Sequence, residues 1–386
     1  MTQTDSAMAP KHATIRELFV INTYWVGLSI MWNSLHPLIL PAMLLNLVPE
    51  TRKNTYLGLL TFAGLVIAMI VQPISGAVSD RWHSRWGRRR PFILAGTLVD
   101  FIFLAILGWA GGLFWLVIGY IGLQFSSNIA HGPAQGLLPD RVPPEQLGMG
   151  SAIKNLLDMG GLIVASLLAG RLMDPQGRNP TVIMLVVILV LAAMATITLV
   201  FTREAPTGTR DSAASKESLR DLLHVDFRAH TAYWWLILAR FAFLLGVYGV
   251  QSFAEYYVRD VLEVANPVLA TGNLLAAVTL ALLVFLMAGG WLSDRIGTRW
   301  VMAAASLLAA LGCLLLMTAR TPAQLVIYGS ILGMGIGLFL TSNWTVASRL
   351  APVEDAGKFL GLTNLATAGA GALGRLTGPL IDLFNN

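Results

Sequence analysis

Gln124, Asn128, His131 and Gln135 recur three or four residues apart inside an otherwise apolar run, so they line one face of a helix. Amide and imidazole groups at that spacing both donate and accept hydrogen bonds, which suits a polyhydroxylated ligand. Trp32, Asn33 and His36 form a second such group, followed by Pro37 and Pro41. The prolines remove backbone hydrogen bonds and open a helix there, either as a plain kink or beside a ligand. Lys154, Asn155 and Asp158 form a third group. Lys154 either neutralises Asp158 four residues on, or Asp158 alternates between Lys154, a proton and a ligand. Tyr248, Gln251 and Glu255 share another face, with Glu255 either a functional acid or a carboxylate held at a membrane interface. Asn343 and Trp344, beside Thr341 and Ser342, complete the candidate ligand set. Trp32 and Trp344 either stack on sugar rings or anchor an interface. Asp100 and Arg375 stand alone in apolar runs, as functional charges or as halves of a structural salt link.

The elements that hold these groups must be membrane helices. The chain is 55% hydrophobic and 12% charged, whereas soluble domains carry roughly 25% charged residues. Its charge-free runs reach the ~20 residues a spanning helix needs. Polar groups inside such spans must face protein or water. The hydropathy predicts eleven spans near 17–40, 55–79, 91–111, 113–136, 148–172, 181–201, 232–257, 268–291, 299–318, 324–348 and 357–383. The expected organisation is a six-helix half over 1–202, a polar linker over 203–230 and a five-helix half over 231–386. The single Cys313 lies in an apolar run, which excludes a disulfide framework. The polar start MTQTDSAMAP lacks a signal-peptide pattern, so the first span is expected to remain in place. Seventeen basic residues fall on one side of this layout and six on the other, so the net charge of +5 reflects topology rather than nucleic-acid binding.

Two loops share a pattern, SGAVSDRWHSRWGRRRP over 75–91 and GWLSDRIGTRW over 290–300. Gly76 and Gly290, and Asp80 and Asp294, are each 214 residues apart, the self-similarity of a duplicated transporter. A second register repeats Glu145 as Glu354, Gly148 as Gly357 and Asn155 as Asn364, and GRLMD ending at Asp174 echoes GPLID ending at Asp382. By that echo the sequence stops where a twelfth span is expected to begin, either as a truncation or because that helix is dispensable. The loop pattern resembles the signature of the major facilitator superfamily. The stretch VQPISGAVSDRWHSRWGRRRPFILAG is further similar to the glycoside–pentoside–hexuronide and sucrose–proton symporter group.

The resemblance implies an all-α polytopic membrane fold of two pseudo-symmetric halves, whose first and fourth helices line a central path. It implies a secondary active transporter of a sugar or glycoside, coupled to protons and working by alternating access. It also implies gating by Gly76, Asp80, Arg81, Arg88, Gly290, Asp294 and Arg295, pairing in one conformation and releasing in the other. Aligned on Gly132-Pro133, the symporters' proton-carrying aspartate falls on Gln124, which cannot titrate, and their arginine falls on Gln135. An uncoupled facilitator or exporter of another small organic molecule, and a non-transporting membrane receptor, are the alternatives. No nucleophile elbow, nucleotide loop or metal-ligand spacing occurs, so neither enzyme activity, a cofactor nor a metal is expected. The expected partners are a small solute, a proton or other cation and the bilayer. The expected setting is a bacterial inner membrane, as a monomer, with the N-terminus cytoplasmic.

Overall fold

The computed structural model describes residues 12–82, 84–109, 111–174, 178–202, 230–350 and 356–385. The expected linker over 203–230 lies almost entirely outside them. The described helices are α1 (Ile15–Ser34), α2 (Leu40–Leu44), α3 (Lys53–Arg81), α4 (Arg90–Trp109), α5 (Leu113–Arg141), α6 (Leu147–Leu172) and α7 (Thr181–Phe201), then α8 (Thr231–Leu262), α9 (Pro267–Ile296), α10 (Thr298–Thr318), α11 (Pro322–Leu350), α12 (Ala356–Arg375) and α13 (Gly378–Asn385). Among the described residues, nine of these helices are long and apolar enough to cross a membrane. The α1–α2 segment and the α12–α13 segment complete the eleven expected from hydropathy.

Both of those segments are interrupted. Between α1 and α2 the chain makes a π turn over Leu35–Ile39, closed by Leu40 N–H donating to the Leu35 carbonyl. Pro37 lies inside it and has no N–H to give, so the helix widens there instead of continuing its regular ladder. The final span, expected to be continuous over 357–383, is broken between Arg375 and Gly378. Several helices also run past their expected ends, α8 to Leu262 and α5 to Arg141, because their amphipathic ends continue the helix beyond the apolar core.

The chain forms two compact units. The first comprises 12–33, 63–165 and 179–202 of the described residues; the second comprises 34–62, 166–174, 178 and 230–385. In the first, α4 packs on α5 and α7. A close seam lies between α3 and α5 at Gly132, where a Cβ would lie 2.2 Å from the Gln72 carbonyl oxygen. Only glycine permits that approach. In the second, α9 and α10 pack on α11 and α8 packs on α12. Residues 34–62 belong to this second unit because they are bonded to α8 and α13, as described below.

Candidate functional site

In the first unit a polar knot joins α1, α5 and α6. Trp25, Ser29 and Asn33 share one face of α1 at four-residue spacing. Ser29 Oγ donates to the Asp158 carbonyl at 2.6 Å. Asn33 Nδ2 donates to the Ser29 carbonyl and to Ser29 Oγ. The edge of His131 meets Trp25 at a centroid separation of 5.0 Å. Lys154 Nζ sits 3.9 Å above the Trp25 ring. Lys154 forms no ion pair with Asp158 within 4 Å among the described residues, so its charge is directed at an aromatic face and the half-buried Asp158 carboxylate is left without a bonded cation. Trp25 was not among the residues expected to matter; its spacing to Ser29 and Asn33 was the available signal.

The α5 stripe divides. Gln124 and Asn128 are buried, with Gln124 Nε2 donating to Tyr120 Oη and Asn128 Nδ2 donating to the Gln124 carbonyl. His131 belongs to the knot, and Gln135 is exposed. Trp32 is half-buried and Asn155 is exposed. Deeper in the same unit, Asp100 is 0% exposed. Ser126 Oγ donates to its Oδ1, while Oδ2 has no partner among the described residues. No salt link of Asp100 is present among them.

The second unit holds a corresponding knot on α8, α11 and α12. Arg240 Nε donates to Thr367 Oγ1 at 3.0 Å, and its Nη1 donates to Asn343 Oδ1 at 2.9 Å. Asn343 is fully buried and Trp344 is exposed. Along α8, Tyr248 lies against Gly371 and Gly374 of α12, and Gln251 is half-buried. Arg375 donates to the Gly371 carbonyl, and His36 of the π turn lies within its electrostatic reach. In each unit the contact joins the first helix of the knot to a helix more than a hundred residues on: Arg240 meets the Thr367 hydroxyl 127 residues away, and Ser29 meets the Asp158 backbone carbonyl 129 residues away. A charge at membrane depth costs about 2.5–3.5 kcal/mol on insertion scales, so Lys154 and Arg240 require an account beyond packing.

Two charged clusters sit at opposite helix ends. At the arginine-rich end, buried Arg89 bonds Asp80, Asp140 and Ser79 Oγ, while Arg88 also pairs with Asp140. All of these groups lie in the first unit. Gly76 is in ordinary contact with Gly132, and Arg81 is exposed. The second copy of the motif is looser: Asp294 and Arg349 stand 3.9 Å apart and exposed, Arg295 lies over Trp291 at 4.2 Å, and Gly290 meets Thr341. Arg89 and Asp140, not expected as gating groups, form the centre of the tighter cluster.

At the other end, within the second unit, Lys53 pairs with Glu50 and Asp260, and Arg259 pairs with Glu50 at 2.7 Å. Asp382 of α13 accepts from Asn54 Nδ2 at 2.8 Å and from the Thr55 N–H at 2.7 Å. Tyr256 Oη donates to the Pro41 carbonyl. Beside them Glu255 is 1% exposed, and its Oε2 has no partner among the described residues.

The sequence profile of the Major Facilitator Superfamily matches residues 18–375. The chain belongs to that superfamily. Among relatives, the multi-drug resistance efflux pump PmrA of Streptococcus pneumoniae serotype 4 is 20% identical over 327 residues, covering 84% of this chain and 79% of the pump. Sucrose transport protein SUT4 of Oryza sativa subsp. indica is 31% identical over 112 residues, covering 23% of this chain and 19% of that protein. The solved structure of a bacterial homologue of the human lysosomal transporter Spinster, inward-facing and unoccupied, matches with a TM-score of 0.72 at 17% identity, covering 93% of this chain and 81% of that one. This chain therefore has an integral-membrane transporter fold rather than that of an enzyme.

Proposed function

We propose that this facilitator is a proton-coupled secondary transporter of a small polyhydroxylated solute, a sugar or glycoside, working by alternating access between halves at 1–202 and 231–386. The observation that carries the reading is the placement of Lys154 over Trp25. It leaves the Asp158 carboxylate free of a bonded cation beside the hydrogen-bonding groups of Ser29, Asn33 and His131, where it takes up and releases a proton. Glu255 is the second coupling acid. Its burial beside the Lys53–Asp260 and Arg259–Glu50 pairs links protonation to the contacts that hold 34–62 against α8. The basic loops face the cytoplasm of a bacterial inner membrane, with the N-terminus on that side. The partial match to a sucrose transport protein supports the solute class.

The test is uptake of radiolabelled sucrose, maltose and gluconate into liposomes containing the purified protein, with and without an inward proton gradient. Accumulation above equilibrium that collapses with a protonophore is expected. At 100 mV each proton supplies about 2.3 kcal/mol, enough for a roughly fiftyfold gradient of a neutral solute. Asp158→Asn and Glu255→Gln are expected to abolish accumulation while sparing solute exchange. If both variants still accumulate, the two acids are wrongly assigned. The greater coverage of the efflux pump favours a second reading, an exporter of amphipathic compounds. Ethidium extrusion without any sugar flux would establish that reading instead.

A further inference from the structure

We propose that Arg240 is an anion-binding residue and that the solute carried by this facilitator bears a carboxylate or phosphate group. The proposal rests on the transporter reading and adds the solute's charge to it. Arg240 is 8% exposed, yet the groups it bonds, Thr367 Oγ1 and Asn343 Oδ1, are both neutral. A buried arginine that serves structure is ordinarily matched by a carboxylate, because neutral acceptors compensate a desolvated charge poorly.

Among the described residues, no carboxylate pairs with Arg240. The helices that bond Arg240 contain no acidic residue at all: α11 carries Arg349, and α12 carries Lys358 and Arg375. On α8 itself the first acid beyond Arg240 is Glu255, fifteen residues on, which is roughly 22 Å along a helix. The charge therefore calls for a negative group that the surrounding helices do not supply.

The geometry suits one. The bonds to Thr367 and Asn343 occupy two of the five guanidinium N–H groups and fix the plane of the fork. A guanidinium fork is better shaped than an ammonium for the paired oxygens of a carboxylate or phosphate, and more than two of its N–H groups remain for them. Tyr248, two turns along the same helix, lies within electrostatic reach of both Arg240 and Arg375 and supplies a phenol for the solute's hydroxyl groups. In the first unit the comparable seam is bonded by neutral Ser29, so the buried arginine is particular to the second unit.

The experiment compares three ligands built on one six-carbon polyol: sorbitol, gluconate and sorbitol 6-phosphate. Thermal unfolding of the purified full chain is followed at constant ionic strength as each is titrated. Gluconate, sorbitol 6-phosphate or both are expected to raise the unfolding midpoint at concentrations at least tenfold below sorbitol. Which of the two acts distinguishes a carboxylate site from a phosphate site. Arg240→Met is expected to erase the preference, and Arg240→Lys, which retains the charge without the fork, to weaken it about tenfold while leaving the ligand-free midpoint near that of the parent. The lysine variant keeps the test decidable if the methionine variant does not fold. Equal shifts from charged and neutral ligands, including no shift from any, overturn the proposal, as does a preference that survives both substitutions. Proton-driven uptake of sucrose that is indifferent to Arg240→Lys would likewise overturn it while leaving the transporter reading standing.

Discussion

Lys154 has two neighbours that could take its charge, the Trp25 ring and the Asp158 carboxylate, and it lies over the ring at 3.9 Å. A cation–π contact of this kind contributes about 0.5–2 kcal/mol, depending on how far it is desolvated. Trp25→Leu removes that alternative, and Lys154 then turns to Asp158 and neutralises it. The expected result is the Asp158→Asn phenotype, with accumulation lost and exchange retained, whereas Trp25→Phe keeps a ring and most of the accumulation. A leucine variant that concentrates solute as the parent does would sink this account of the knot. Trp25 was passed over because its link to Lys154 and His131 joins residues more than a hundred positions apart, whereas only its spacing to Ser29 and Asn33 is local. Arg240 had a clearer signal. The sidedness tally places seventeen and six of the twenty-six basic residues, and the three left over are Lys154, Arg240 and Arg375, all at membrane depth. A membrane interior rarely retains three such residues for packing alone.

At the scale of elements, the helices were legible because their hydropathy and proline positions are local properties. Pro37 and Pro41 marked the interruption of the first span, and the structure makes it a π turn over Leu35–Ile39. The attachment of α3 to α13 was not legible, because it joins residues more than 320 positions apart. Asp382 appeared in the sequence only as an echo of Asp174, which in the structure accepts from the Arg178 N–H nearby. Asp382 instead receives Asn54 Nδ2 and the Thr55 N–H, satisfying donors at the start of α3 that its own helix cannot. Asp382→Ala leaves those two donors without their acceptor, at a cost of about 1–3 kcal/mol for each group that stays buried. The expected outcome is a lower thermal unfolding midpoint for the purified protein, with Asp382→Asn, which keeps one acceptor oxygen, falling between it and the parent. Identical midpoints for all three proteins would show that Asp382 does not support the fold.

For the whole molecule, the proposed alternating access has residues 34–62 held in one conformation and released in another. The contacts that hold them are Lys53 with Glu50 and Asp260, Arg259 with Glu50, Tyr256 with the Pro41 carbonyl and Asp382 with the start of α3. Lys53 is the hub: it is 5% exposed, contacts two carboxylates and lies 5.2 Å from the Tyr256 ring centroid. Lys53→Met therefore removes the attraction and leaves Glu50 and Asp260 facing one another as like charges. Ala42, buried at 2% within the held segment, is a reporter for release. In a chain whose only native cysteine is replaced, Cys313→Ala, a cysteine at Ala42→Cys is expected to react slowly with a membrane-impermeant maleimide. Adding Lys53→Met is expected to raise that rate about tenfold, corresponding to a shift of about 1.4 kcal/mol toward the released state. Glu50→Gln, which removes one of the two facing carboxylates, should return part of the difference when combined with Lys53→Met. If maleimide reacts at the same rate with and without Lys53, the charged cluster is not what holds this segment, and Asp382 and the Tyr256–Pro41 bond must carry the closure between them.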